Sequence, residues 1–451
     1  MKFLAAAILL LVLFSGTGFA AAIPLRGVIE GFYGTPWTFD NRADLMKFCR
    51  RNNLNAYIYA PKDDPYHREK WREPYPAEKI AELKKLVAAA NKNGVRFIFA
   101  VSPGLDLNYS NASDFNLLVQ KLDAVYSLGV RQFAIFFDDL KDANGIHHED
   151  GWRQADFLNR LQKNLRDKHS DVEPLLTVPT EYFRLDMIQN RNNYTTDFAA
   201  ALDKNIIVLY TGDGVVCDGI SDAEFAAANK IYGRNLGIWW NYPVNDYAVT
   251  DDGNKNAKLA LGAVEKLPTK NVPAIFFNPM GQYELSKIAL ATAGTYAAAP
   301  NSYDADTAWN IALENQFGEL APAMKIFALH SRHMENSWAK VGAPDAPDFV
   351  AAANAGDLDA LSKIVDEMSA AANSLLKNLP PEILAECKPQ LEQFKRIARA
   401  DRLAIKSLRQ NSLDPRLKKL RAEISKFEPN AILSEKAALK FVDDTIALLN
   451  R

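Results

Sequence analysis

Eight short runs of β-branched and aromatic residues, each separated from the next by a stretch of mostly helical periodicity, constrain this chain more than any other feature. The runs begin at Gly27-Val28-Ile29, Ala56-Tyr57-Ile58-Tyr59, Arg96-Phe97-Ile98-Phe99 and Phe133-Ala134-Ile135-Phe136. Four more begin at Leu175-Leu176-Thr177-Val178, Ile206-Ile207-Val208-Leu209, Leu236-Gly237-Ile238-Trp239 and Ala274-Ile275-Phe276-Phe277. Strands alternating with helices build parallel sheets, because a parallel connection needs a crossover long enough to hold a helix. Eight repeats within about 250 residues favour a closed (β/α)8 TIM barrel over an open sheet. The repeat after the seventh run is the weakest, since Asp251-Asp252-Gly253-Asn254 reads as loop. From near Pro300 strand signals cease, and Ala, Leu, Lys and Glu recur at helical spacing, punctuated by Pro380-Pro381 and Pro429-Asn430. The chain of 451 residues is longer than one compact domain usually is. The expected division is a catalytic barrel over residues 23–300 and a C-terminal α-helical bundle over 301–451.

Residues 1–22 carry Lys2, an apolar run to Phe14 and a small-residue end, Ser15 to Ala22, which is the pattern of a removable secretory signal peptide. Export to a periplasm or the medium is the expected localisation, because the apolar run is too short for a comfortable membrane span. The net charge of −2, from 53 basic and 55 acidic residues, offers no footprint for nucleic acid or an anionic membrane. Cys49, Cys217 and Cys387 are too scattered for a disulfide framework or a zinc site and read as small buried hydrophobes. The charge run Arg416-Leu417-Lys418-Lys419 reads as a solvated helix face.

Barrels of this kind carry their chemistry at the carboxyl ends of the strands. Here the runs end in Glu30-Gly31-Phe32-Tyr33-Gly34, Ala60-Pro61-Lys62-Asp63-Asp64, Phe137-Asp138-Asp139 and Pro179-Thr180-Glu181-Tyr182. Later runs end in Tyr210-Thr211-Gly212-Asp213, Trp240-Asn241-Tyr242-Pro243-Val244-Asn245-Asp246-Tyr247 and Asn278-Pro279-Met280. One mouth is thus expected to collect carboxylates, amides, a lysine and aromatic rings, the inventory of a sugar pocket. Asp138-Asp139 is the sharpest signal. Neighbouring side chains on a strand point to opposite faces, so both acids meet one substrate only where the chain leaves β geometry. Crowded carboxylates resist joint ionisation, which supplies a proton donor beside an anion. The bland alternative, a helix cap beside a loop-bonded Asp, is outweighed by the other polar strand ends. His147-His148-Glu149-Asp150 follows Asn144-Gly145-Ile146 and reads as a solvated loop rather than a metal site. Lys62 weighs against a plain surface lysine by its place between Pro61 and Asp63. Of Trp239 and Trp240, alternation lets at most one face the barrel axis.

At these residues the sequence resembles glycoside hydrolase family 84, the β-N-acetylglucosaminidases related to O-GlcNAcases and formerly called hyaluronidases. The resemblance lies in Gly27 to Trp37, Tyr59 to His67, Phe136-Phe137-Asp138-Asp139 and Trp239 to Tyr247, and it covers the whole expected barrel. It implies a retaining exo-β-N-acetylglucosaminidase in which the acetamido oxygen of the substrate, not an enzyme carboxylate, attacks the anomeric carbon and forms an oxazoline. On that resemblance Asp139 is general acid and then base, Asp138 holds the acetamido N–H, and Tyr182 supports the acetamido oxygen. Gly31, Lys62, Asn241, Asp246 and Asn278 are implied to bind sugar hydroxyls, and Thr211, Val215, Trp239 and Tyr247 to line the acetamido pocket. No metal or organic cofactor is implied. The expected partner is a β-N-acetylglucosaminyl glycoconjugate, with no nucleic acid and no membrane insertion after signal removal. Two rivals stand beside this reading: a hyaluronidase-type endo-glycosidase and a non-catalytic GlcNAc-binding protein.

Overall fold

The computed structural model describes residues 22–140, 151–247, 257–265, 267–333, 345–433 and 435–450. Residues 1–21 of the expected signal, the His147 to Asp150 run and the Asp251 to Asn254 loop lie outside them. Eight parallel strands close into a barrel in sequence order: β1 (Leu25–Glu30), β2 (Ala56–Tyr59), β3 (Arg96–Val101), β4 (Gln132–Phe136), β5 (Leu176–Val178), β6 (Ile207–Tyr210), β7 (Gly237–Trp240) and β8 (Ala274–Phe277). β8 returns to β1, with Leu25 opposite Ala274.

The two-residue side-chain period sorts each strand into two layers. Ile29, Ile58, Ala100, Ala134, Phe136, Leu209, Trp239 and Phe276 form the core inside the barrel. Val28, Tyr57, Phe97, Phe99, Phe133, Ile135, Trp240 and Phe277 face outward, where they join the larger core under the helices. Every strand is buried on both sides, which is why the runs read as nearly continuous apolar stretches. Gly27 is required by this closeness, because a Cβ there would come within 2.0 Å of the Ala56 carbonyl oxygen on β2.

The outer helices are α1 (Phe39–Arg51), α2 (Ala77–Lys92), α3 (Ala112–Tyr126), α4 (Gly151–Lys168), α5 (Arg184–Gln189), α6 (Tyr194–Ala201), α7 (Asp222–Tyr232) and α8 (Tyr283–Ala298). Thr38 caps α1 by accepting from the Asn41 amide, and a Ser221–Glu224 capping box starts α7. No helix lies between β7 and β8 among the described residues, in accord with the weak signal there.

Beyond the barrel come α9 (Ala305–Phe317), α10 (Ala321–Leu329), α11 (Pro347–Ala355), α12 (Leu358–Asn378), α13 (Pro381–Gln410), α14 (Pro415–Phe427) and α15 (Ala437–Leu449). α12 buries Leu361, Val365, Met368, Ala372 and Leu375, a four-three spacing that makes one apolar stripe. It packs along α13, whose stripe includes Ile383, Leu391, Phe394, Ile397 and Ile405. Arg416, Lys418 and Lys419 are exposed while Leu417 is buried, so the charge run is the outer face of α14. Glu386 of α13 ties bundle to barrel by accepting from the Glu284 and Leu285 amides at 3.0 and 2.9 Å, in the first turn of α8. Among the described residues no helix is long and apolar enough to cross a membrane.

Candidate active site

At the carboxyl end of β4 the chain continues through Phe137, whose amide donates to the Val178 carbonyl at 2.8 Å, into Asp138 and Asp139. Asp139 has a positive φ of 53°. This left-handed turn costs an L residue roughly 1 kcal/mol, less for Asp than for most. It is what breaks the strand alternation and brings two consecutive carboxylates to one cavity of about 340 Å3. A cavity of this size, at the small end of the range for ligand pockets, suits a single sugar ring.

The two acids are held in different ways. Asp138 is buried, and its Oδ2 forms an ion pair with Lys62 from the loop after β2. Its Oδ1 is buried with no hydrogen-bond partner among the described residues. The Lys62 ammonium, itself buried, also sits 5.6 Å from the Trp239 ring and 5.8 Å from the Tyr33 ring, within cation–π range. Among the described residues Asp139 has no direct counter-ion. Its Oδ2 accepts from the Tyr33 hydroxyl at 2.8 Å and its Oδ1 from the Tyr182 hydroxyl at 3.0 Å. Burial, and then the Asp139 charge, push both phenols up, so they remain neutral donors.

A chain of amides builds the opposite wall. The Gly31 amide donates to Asn278 Oδ1 at 3.2 Å, and Asn278 Nδ2 donates to Asn241 Oδ1 at 2.9 Å. That same oxygen accepts from the Trp239 indole at 2.7 Å, while Asn241 Nδ2 donates to the Val215 carbonyl at 2.7 Å. Asp246 accepts from the Tyr33 amide at 2.6 Å. Gly31 cannot be larger, since a Cβ would come within 2.4 Å of the Trp239 ring. Thr211 donates to the Gly214 carbonyl at 2.7 Å, which folds the β6 loop so that Val215 reaches the cavity.

All twelve residues singled out from the sequence line this one cavity: Gly31, Lys62, Asp138, Asp139, Tyr182, Thr211, Val215, Trp239, Asn241, Asp246, Tyr247 and Asn278. Tyr33, Val178, Val216 and Val244 complete the lining, and sequence reasoning assigned none of them a role. Tyr33 had a usable signal, its place between Phe32 and Gly34 just beyond a strand end. The valines had none, being indistinguishable in sequence from core.

Several polar strand ends turn away from the mouth, contrary to expectation. Glu30 belongs to β1 and points outward, where Arg42 binds it at 2.6 and 2.8 Å and the Trp37 amide donates to it at 3.1 Å. Glu181 accepts from the Arg191 amide at 3.0 Å and from the Thr195 hydroxyl. Asp64 accepts from the hydroxyls of Tyr59 and Tyr75 at 2.7 and 2.9 Å, and Asp213 pairs with Arg184. Each satisfies a structural need on the helix side of the barrel or in the loops above it. Nor is Asp138 simply one of two crowded anions, because Lys62 neutralises it. Cys217 also differs from the reading as a buried hydrophobe. It is half-buried, with its sulfur 3.5 Å from the carbonyl oxygens of Thr211 and Gly219, whereas Cys49 and Cys387 are buried.

A closed parallel barrel with acids, amides and an indole ring gathered at its carboxyl mouth has the build of a barrel enzyme, whose chemistry sits at that end. The family model for beta-N-acetylglucosaminidase matches residues 26–329, and a hyaluronidase post-catalytic domain-like model matches residues 332–442. The chain therefore belongs to the β-N-acetylglucosaminidase family, glycoside hydrolase family 84. It is 34% identical over 301 residues to the protein O-GlcNAcase of Mus musculus, covering 62% of this chain and 32% of that one. The protein O-GlcNAcase of Rattus norvegicus is 34% identical over 296 residues, covering 62% and 31%. The chain thus spans about a third of the length of these curated relatives. Among solved structures, CpGH84B superposes with a TM-score of 0.83 at 34% identity, covering 94% of this chain and 77% of that one. A mutant of the Thermobaculum terrenum O-GlcNAc hydrolase superposes with a TM-score of 0.81 at 29% identity, covering 94% of both chains.

Proposed function

We propose that the protein is an exported, exo-acting, retaining β-N-acetylglucosaminidase that removes terminal β-linked GlcNAc by substrate-assisted catalysis. The observation that carries this reading is the state of Asp138. One oxygen is paired with Lys62, and the other is a buried acceptor without a donor among the described residues, in the cavity that Trp239 and Tyr182 also line. A buried carboxylate oxygen left unpaired is costly, and an N–H donor from a 2-acetamido group is the partner it lacks.

The bond changes follow from that placement. As the acetamido oxygen attacks the anomeric carbon, the bond to the leaving oxygen breaks and Asp139 gives that oxygen its proton. Asp138 accepts from the acetamido N–H and stabilises the positive charge on the ring formed, while Tyr182 turns its hydroxyl towards the acetamido oxygen. Water then attacks the anomeric carbon, Asp139 takes its proton, and the bond to the acetamido oxygen breaks, so configuration is retained over two inversions. Lys62, Asn241, Asp246, Asn278 and the Gly31 backbone hold sugar hydroxyls. Thr211, Val215, Trp239 and Tyr247 enclose the acetyl methyl. A compact cavity rather than a long cleft supports exo action, on a single terminal residue of a glycoprotein or glycan.

Kinetics on an aryl β-N-acetylglucosaminide beside the unsubstituted aryl β-glucoside test the reading. Strong preference for the acetamido substrate, lost in Asp138→Asn, is the expected result. Equal turnover of both sugars removes acetamido participation, and release of oligosaccharides only from hyaluronan makes the enzyme endo-acting. Cell fractionation tests export: cytoplasmic retention of the intact leader contradicts it.

A further inference from the structure

Arg68, in the loop after β2, is 8% exposed, yet among the described residues it has no carboxylate partner. Its Nη2 donates to the main-chain carbonyl of Asp139 at 3.2 Å, its Nη1 is buried without a partner, and its guanidinium carbon lies 6.0 Å from the Tyr33 ring centroid. A buried guanidinium without an anion is expensive, typically by several kcal/mol. Loop packing alone does not call for one.

The surroundings supply the reason. Asp139 is the residue whose positive φ turns its side chain into the cavity, and the Arg68 bond to its carbonyl braces that turn. The ring over which Arg68 lies belongs to Tyr33, whose hydroxyl donates to Asp139 Oδ2 at 2.8 Å. A cation over the face of a phenol draws electron density from the ring and strengthens the hydroxyl as a donor. His67, the preceding residue, supplies no charge: burial, and then Lys62, push its imidazole down to about 3.

We infer that Arg68 is a positioning residue for Asp139, bracing its main chain directly and its carboxyl through Tyr33. The contrast with Asp138 gives the arrangement its sense. Lys62 binds the Asp138 carboxyl group directly, whereas Arg68 reaches Asp139 only through a carbonyl and a phenol. Asp139 thereby gains a cation's support while its oxygens are held by two neutral hydroxyls rather than by a cation. Neither Arg68 nor Tyr33 needs to touch the sugar in the cavity for this.

This inference rests on Asp139 being the acid, so the experiment separates the two. The purified protein, with Arg68→Met, Arg68→Lys, Asp139→Asn and the double variant Arg68→Met/Asp139→Asn, is assayed on an activated dinitrophenyl β-N-acetylglucosaminide and on an alkyl one. Inhibition by free N-acetylglucosamine reads the sugar pocket alone. Arg68→Met is expected to lower kcat/KM on the alkyl glycoside by roughly 10- to 100-fold, the scale of a misplaced catalytic group, and far less on the activated one. Arg68→Lys recovers part of the loss, inhibition by N-acetylglucosamine is unchanged, and Arg68→Met adds little in the Asp139→Asn background. Equal losses on both substrates with weakened inhibition, or full additivity with Asp139→Asn, overturn the inference and make Arg68 a structural residue. If Asp139→Asn itself fails to distinguish the substrates, it is the acid assignment that falls. Should Arg68→Met not fold, Tyr33→Phe reads the same link, and its losing both substrates equally overturns it as well.

Discussion

The barrel mouth and the helical bundle each bury an aspartate with an unpartnered oxygen, and the two are physically opposite. Asp138 pairs with Lys62 and lines a cavity, and among the described residues its Oδ1 has no hydrogen-bond partner. Asp401 sits in the stripe of α13, fully buried, with both oxygens unpartnered among the described residues. Burial, and then the nearby Glu435 charge, push its carboxyl well above the usual range, which favours the neutral acid in the core. The Glu435 charge is kept by His330, which approaches it at 2.9 Å. A buried acid without a partner therefore marks chemistry only where a cation and a cavity accompany it.

Asp139→Asn is expected to slow hydrolysis of glycosides with poor leaving groups by about 10²- to 10⁴-fold, the range of a general acid, and activated aryl glycosides much less. Equal losses on both would return Asp139 to a structural role. In the bundle, Leu391→Ala on α13 is expected to cost about 2–5 kcal/mol in denaturant unfolding, because its neighbours are fully buried and the hole cannot collapse. A cost under a kilocalorie would mean that the bundle is loosely packed around Leu391.

Asp401→Asn sharpens the contrast directly. A group whose folded-state pKa is raised contributes stability that is present below its unfolded value, near 4, and is lost as pH rises towards its folded value. The asparagine variant should leave hydrolysis intact and flatten the fall of melting temperature between acid and alkaline pH. An unchanged pH profile would show Asp401 to be ionised. The smallest effect belongs to Glu386, whose carboxyl burial pushes up to about 7. Its contribution is full at pH values below about 4.5 and is lost as pH passes 7, so from pH 5 to 8 the native protein should lose more melting temperature than Glu386→Gln, by a few degrees. Parallel curves for the two proteins would refute this.

Much of this molecule is legible in its sequence. The alternation of apolar runs with helical stretches dictates a parallel barrel, because each strand must be buried on both faces and each crossover must hold a helix. The four-three spacing from Leu361 to Leu375 dictates an amphipathic helix in the same way. Most of the polar cavity residues were legible because barrels place polar strand ends at one mouth, whereas Val215 and Trp239 came only from the family resemblance. Local pattern does not reveal which strand-end acids turn inward. Glu30 and Glu181 read like Asp138 in sequence, yet barrel closure hands them to Arg42 and Thr195 on the far side. The turn at Asp139, the pairing of Lys62 with Asp138 across 76 positions and the reach of Arg68 to Tyr33 and Asp139 were likewise decided in three dimensions. Side-chain period is a local property of the backbone. Which charge finds which partner depends on loops from different strands converging over a single barrel axis.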